Sequence, residues 1–275
     1  MRHLTFFMIF FCVSVWGTVF GETENTLEKA EALITELKFY EALVALEPLL
    51  VSDEKSEKQE EALWRANMLC KWIPHPFTME FLNKRIDRKL GFTQSEKIER
   101  LNRLGAGFIW SEPGGCYVYW HGFLERLLER YPNSRWAPIA EYYLIQKADR
   151  FLFQDFDKTL KALHAYVKKY AKNEYAEVYL AYLDIARINH GIWACLTYPD
   201  DPYFFGSMMS NPFTSEDAEK DKKRASVCKS QALKYYAKFI INVHNSEDRH
   251  GALKWYKKLE LNERSGFHFV DRGGC

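Results

Sequence analysis

The sequence predicts an all-α fold, a solenoid of antiparallel helix pairs interrupted once by a small inserted β-hairpin. Three observations lead there. Apolar residues recur at spacings of three and four through most of the chain, the period of one helix face. A stretch is used twice: YPNSRWAPIAEYYL from Tyr131 returns 39 residues later as YAKNEYAEVYLAYL from Tyr170. Tyr131 aligns with Tyr170, Trp136 with Tyr175, Ala137 with Ala176, Ile139 with Val178, Tyr143 with Tyr182 and Leu144 with Leu183. A fixed offset over so many positions marks one repeated structural unit. The third observation is the exception, residues 105–120, where two β-type runs flank a turn sequence.

The chain divides by composition into 1–21, a signal peptide; 22–104, an N-terminal helical part; 105–120, the hairpin; 121–265, helical repeats with a long loop at 197–214; and 266–275, a tail. Met1-Arg2-His3 is a basic start, Leu4–Phe20 is uncharged and rich in Phe, Val and Ile, and Val19-Phe20-Gly21 offers a cleavage site. That pattern is a cleavable secretory signal and implies a periplasmic or secreted protein. Left uncleaved, the apolar run would be the chain's one membrane contact, at the short limit for a span. Without it, 38 − 1 = 37 basic residues face 37 acidic ones. A net charge near zero makes no electrostatic case for nucleic acid. Aromatics reach 16% of the chain, an excess that packing or a binding surface must absorb.

Taken in order, Leu27, Ala30, Ile34 and Leu37 share a helix face, and Phe39, Leu43, Leu46 and Leu50 share the next, with Pro48 set to kink it or mark a break. Residues 51–60 read as a loop or polar first turns. Leu63, Ala66, Cys70 and Ile73 form a stripe that Pro74-His75-Pro76 ends. Thr78–Leu90 is a short basic helix, and Ser95–Leu104 is another, stopped by Gly105. Phe108-Ile109-Trp110 and Tyr117-Val118-Tyr119-Trp120 then read as strands around Glu112-Pro113-Gly114-Gly115, which suits a type II turn. Such a hairpin is marginal alone and must rest on helices.

Phe123–Tyr131 resumes the helical period, and Pro132-Asn133-Ser134 separates it from the next helix. Ile139–Phe153 and Leu160–Tyr170 pair around the turn at 154–157. Tyr175–Cys195 has two apolar faces, as a helix between neighbours requires. The 197–214 loop is long for a compact array. Ser215-Glu216-Asp217 opens a helix whose seam is Cys228, Ala232, Tyr235, Phe239 and Val243, and Leu253, Tyr256 and Leu259 mark the last.

YPNSRWAPIAEYYL followed by DFDKTLKALHAYVKKY resembles the repeats of tetratricopeptide-like proteins exported by bacteria, notably the outer-membrane assembly lipoproteins and the envelope cell-division coordinators. The residues that carry the likeness are Tyr131, Pro132, Ser134, Trp136 and Ala137; the second copy departs with Ala171 and Asn173. The lipid-bearing Cys of those lipoproteins is missing. The resemblance covers about half of the chain and implies a tetratricopeptide-like array that holds a protein partner.

The function expected is therefore a non-enzymatic scaffold with a protein partner and no cofactor. Two aromatic stretches are its candidate binding surfaces: Trp110, Tyr117, Tyr119 and Trp120 in the hairpin, and Tyr203, Phe204 and Phe205, with Met208 and Met209, in the loop. Folded back, the same residues would plug the array; exposed, they would form a groove for a peptide, helix or glycan. Cys195 and Cys228 flank the loop and a disulfide between them would staple it, while two buried thiols would serve packing equally well. The alternatives are a cysteine-dependent hydrolase of peptide or glycan using Cys116 and His121, or a glycan-binding module. No Cys-x-x-Cys, phosphate-binding glycine loop or serine elbow supports other chemistry, and His244, Asp248 and His250 fit a polar turn better than a metal site.

Overall fold

A computed structural model describes residues 25–72, 94–111, 116–149, 156–172, 175–199, 213–244 and 247–263. These are mostly helical, with one two-stranded antiparallel sheet. The signal segment, the 78–90 helix, the hairpin's turn, the Tyr203–Phe205 stretch and the tail lie outside the described residues. The chain forms two compact units that divide inside a helix, between Ala140 and Glu141.

In the first unit, helix α1 (25–35) ends where Leu37 takes a left-handed conformation (φ 60°). The expected Phe39–Leu50 helix is two short ones, α2 (Phe39–Ala45) and α3 (Glu47–Leu50). Pro48 stands in the first turn of α3, where its missing N–H leaves no bond unmade. Helix α4 (Glu57–Trp72) carries the Leu63, Ala66 and Cys70 stripe, all fully buried, and packs on α2 and α3. Helix α5 (Gln94–Arg103) buries Ile98 and Leu101, and Gly105 (φ 99°) turns the chain away after it.

Strands β1 (Phe108–Ser111) and β2 (Cys116–Tyr119) form the expected hairpin. Phe108 faces Tyr119, Ile109 faces Val118, Trp110 faces Tyr117 and Ser111 faces Cys116. Helix α6 (Gly122–Arg130) follows and packs on α4 with Phe123, Leu124 and Leu127 fully buried. Burial of each such side chain is worth about 1.5–3 kcal/mol.

The unit division falls within α7 (Ala137–Asp149). In the second unit, α8 (Phe156–Tyr170), α9 (Ala176–Thr197), α10 (Ala218–Asn242) and α11 (Glu247–Glu260) each pack on the next. Helices α7 and α9 begin at Ala137 and Ala176, so the 39-residue offset is also the offset between helix starts. Helix α9 is buried on more than one side, as its two apolar faces require. Asp217 caps α10, accepting hydrogen bonds from the N–H groups of Glu219 and Lys220, both at 3.1 Å. The seam Cys228, Ala232, Tyr235 and Phe239 is buried as expected.

Candidate functional site

The hairpin carries four of the candidate residues, and its register sorts them. Phe108, Trp110, Tyr117 and Tyr119 share one face, because opposed residues in an antiparallel pair point the same way. Two aromatic pairs stack along it, Phe108 with Tyr119 at 5.2 Å and Trp110 with Tyr117 at 5.1 Å, edge to face. Tyr119 is 5% exposed, at the end next to α6, while Trp110 is 48% exposed. Tyr117 and Trp120 are half-buried. The expected surface thus resolves into a packed foot, Tyr119, and an outward ring, Trp110.

The foot is held by polar contacts that periodicity does not reveal. Tyr119 Oη donates to Asn67 Oδ1 of α4 at 3.2 Å, and His121 Nδ1 lies 3.3 Å from the same oxygen. The Asn102 side chain clamps the start of β1, donating to Phe108 O at 2.9 Å and accepting from Phe108 N at 2.6 Å. His121 is buried with φ 53°, a conformation uncommon outside glycine. The following Gly122 lies so close to Gly105 that a Cβ there would overlap its carbonyl oxygen.

The strand order bears on the Cys116 and His121 alternative. Cys116 opens β2 at the turn end, opposite Ser111, and His121 lies beyond the other end. The three residue steps from Cys116 to Tyr119 alone span about 10 Å along the strand. Among the described residues, Asn67 and Tyr119 meet the imidazole. Burial pushes the pKa of the Cys70 thiol well up, which keeps it protonated and a poor nucleophile.

A second constellation joins α4 to the Tyr-Pro-x-Ser segment. Tyr131 Oη accepts from Ser56 N and donates to Gln59 Oε1, and Ser134 Oγ donates to Glu60 Oε1 at 2.6 Å. Trp64 and Trp136 stack face to face, centroids 4.4 Å apart, with the Arg135 guanidinium 4.5 Å from the Trp136 ring centre. A cleft of about 610 Å³ opens here, lined in part by Glu57, Glu60, Glu61 and Arg135. Trp64 and Arg135 thus both pack on the half-buried Trp136 ring.

In the second unit α9 carries buried polar residues within its apolar faces. Asp184 is buried and accepts from Tyr142 Oη at 2.7 Å and from Gln146 Nε2. His190 is fully buried among Trp193, Tyr236 and Trp255, and its Nδ1 lies 3.2 Å from Tyr236 Oη. Burial holds its pKa down to about 3, so the ring is neutral.

Cys228 is a free, buried thiol, so the expected Cys195–Cys228 staple is not formed. Cys195 and Cys228 both belong to the apolar core, where burial raises the Cys228 pKa. Small apolar side chains are what those positions demand. His244, Asp248 and His250 are exposed, and Asp248 pairs with Arg187 at 3.4 Å. Among the described residues no group of three could hold a metal ion, and no helix is long and apolar enough to cross a membrane. Compared with known proteins, the chain matches no family model and no curated protein sequence.

Proposed function

We propose that this chain is an exported, non-enzymatic scaffold whose tetratricopeptide-like helix pairs stack as a solenoid and hold a protein partner. The observation that carries the reading is the coincidence of two offsets. The sequence repeats at 39 residues, and the helices α7 and α9 start 39 residues apart. Helix pairs of this kind bury one face on the next pair and leave the opposite face to a partner. The buried polar groups support it too. Asp184 is held by Tyr142, His190 by Tyr236, and Tyr119 by Asn67, so each of these buried polar groups joins one helix or strand to another. Trp110 is the residue of the hairpin that this reading gives to the partner.

The test is chemical crosslinking of the signal-free chain in its own envelope or secretome, followed by pull-down and mass spectrometry. One or a few specific proteins should be captured. Capture of none, or hydrolysis of peptide or glycan substrates that a Cys116→Ala variant loses, would overturn the scaffold reading.

A further inference from the structure

We propose that the face shared by α8 and α10 docks an acidic segment of a protein partner, one with an apolar residue towards each end. The proposal rests on the scaffold reading above and names the chemistry of what the scaffold holds.

The face is cationic and aromatic at once. On α10, Lys238 Nζ lies 5.2 Å from the ring centres of both Tyr182 and Tyr235, and Lys234 Nζ lies 5.6 Å from that of Tyr235. From α8, His164 Nδ1 is hydrogen-bonded to Tyr235 Oη at 3.1 Å. Tyr179 extends the tyrosine row beside Tyr182. Lys161 and Lys168 stand three before and four after His164, on the same side of α8.

No carboxylate among the described residues is paired with these charges. Among the described residues, Lys161, Lys168, Lys234 and Lys238 make no ion pair. Lys234 and Lys238 both help to depress the pKa of His164, after burial, and no acid acts on it. The nearby acids Glu141 and Glu177 act on Tyr166 instead. A cation over an aromatic face gains about 0.5–1 kcal/mol at exposed sites. The rings therefore hold the ammonium groups in place while leaving their charge unneutralised, which is the preorganised state a carboxylate ligand needs.

The same side of α10 supplies the apolar ends. Val227 and Ile241 lie seven residues before and after Lys234, close to two helical turns each way, and are 55% and 70% exposed. The two are about 21 Å apart along the helix, the reach of about six or seven extended residues. A polyphosphate chain would have no use for aliphatic side chains flanking the lysines. A peptide with glutamates or aspartates at its centre and an apolar residue at each end matches both features.

The test titrates the mature chain with a synthetic peptide of glutamates flanked by leucines. A lysine-centred peptide and a single-stranded oligonucleotide serve as comparisons. The acidic peptide should bind, and its affinity should fall about tenfold or more as salt rises, because exposed charges are screened. Lys234→Glu with Lys238→Glu should cost a further tenfold or more with an unchanged thermal melt. Val227→Ser with Ile241→Ser should weaken binding severalfold and leave the salt dependence intact. No binding of the acidic peptide, equal binding by the Lys234→Glu/Lys238→Glu variant, or tighter binding of the oligonucleotide would overturn the proposal. Repeating the crosslinking pull-down with that variant separates the two readings. A partner captured equally by both chains leaves the scaffold standing and removes this face from it. Peptide bound with no partner captured leaves the face standing and removes the scaffold.

Discussion

Tyr131 reaches back 75 residues to accept a hydrogen bond from Ser56 N at 2.9 Å, and it donates to Gln59 Oε1 at 2.7 Å. Ser56 is the residue before α4, and its own Oγ accepts from Gln59 N at 3.1 Å. One phenol thus ties the start of α4 to the end of α6. Tyr131→Phe keeps the ring and removes both bonds, leaving the half-buried Ser56 N–H and the amide oxygen of the buried Gln59 without that partner. The expected cost is about 1–2 kcal/mol, from net hydrogen-bond values of about 0.5–1.5 kcal/mol each. Urea unfolding measures it, with an unchanged denaturant slope showing that the fold is retained.

Sequence periodicity located the helices because burial acts on every turn. The Ala137 and Ala176 starts and the strands around 112–115 were legible for that reason. It left open whether Pro48 bends one helix or marks a break between two, since a proline kinks a long helix or opens a new one according to its neighbours. Partners distant in sequence were not legible either. Tyr131 as the end of a helix was readable, but Ser56 and Gln59 as its contacts were not. The buried Asp184 finds its donors in Tyr142 and Gln146, on another helix, a pairing that no spacing within its own helix carries. The seam spacing of Cys228 is the same for a thiol and a half-cystine, so periodicity does not tell the two apart.

His190 makes stability depend on pH in a definite direction. Its pKa is held down to about 3 in the folded chain by burial, against about 6.5 when exposed. Below 6.5 the unfolded state binds a proton that the folded state refuses. Stability from this group is therefore complete above pH 6.5 and is lost as pH falls towards 3, at up to about 1.4 kcal/mol per pH unit. Denaturation midpoints from pH 7 to pH 4 should fall less steeply for His190→Phe than for the wild type. Parallel slopes would show that the imidazole does not contribute.

Two glycines give opposite results with the same substitution. Gly122 packs its Cα against backbone, and an added Cβ would overlap Gly105 O and lie 2.9 Å from Ala106 O. Backbone cannot give way as a side-chain tip can, so Gly122→Ala should destabilise by about 1–3 kcal/mol or more. Gly251 lies within α11 with nothing near an added Cβ. Gly251→Ala should stabilise by about 0.5–1 kcal/mol, because alanine loses less backbone entropy in a helix. Paired thermal melts check both, and the prediction requires opposite signs.

The hairpin offers a separation of stability from binding. Tyr119 contributes a buried ring and a hydroxyl bonded to Asn67, whose Nδ2 is already without a partner. Tyr119→Phe takes a donor from the Asn67 oxygen and keeps the ring, so it should cost about 0.5–1.5 kcal/mol. Partner capture should be unchanged at temperatures well below the melt. Trp110 is half exposed and touches Tyr117 edge to face. Trp110→Ala forfeits that contact, about 0.5–1.5 kcal/mol at most for a less exposed pair, and should lower stability by the smaller end of that range. If the hairpin is a partner surface, Trp110→Ala should instead cut crosslinking yield several fold, as loss of an aromatic anchor does. Yield retained in Trp110→Ala would assign the hairpin to packing alone, and partner capture would then have to come from the helices.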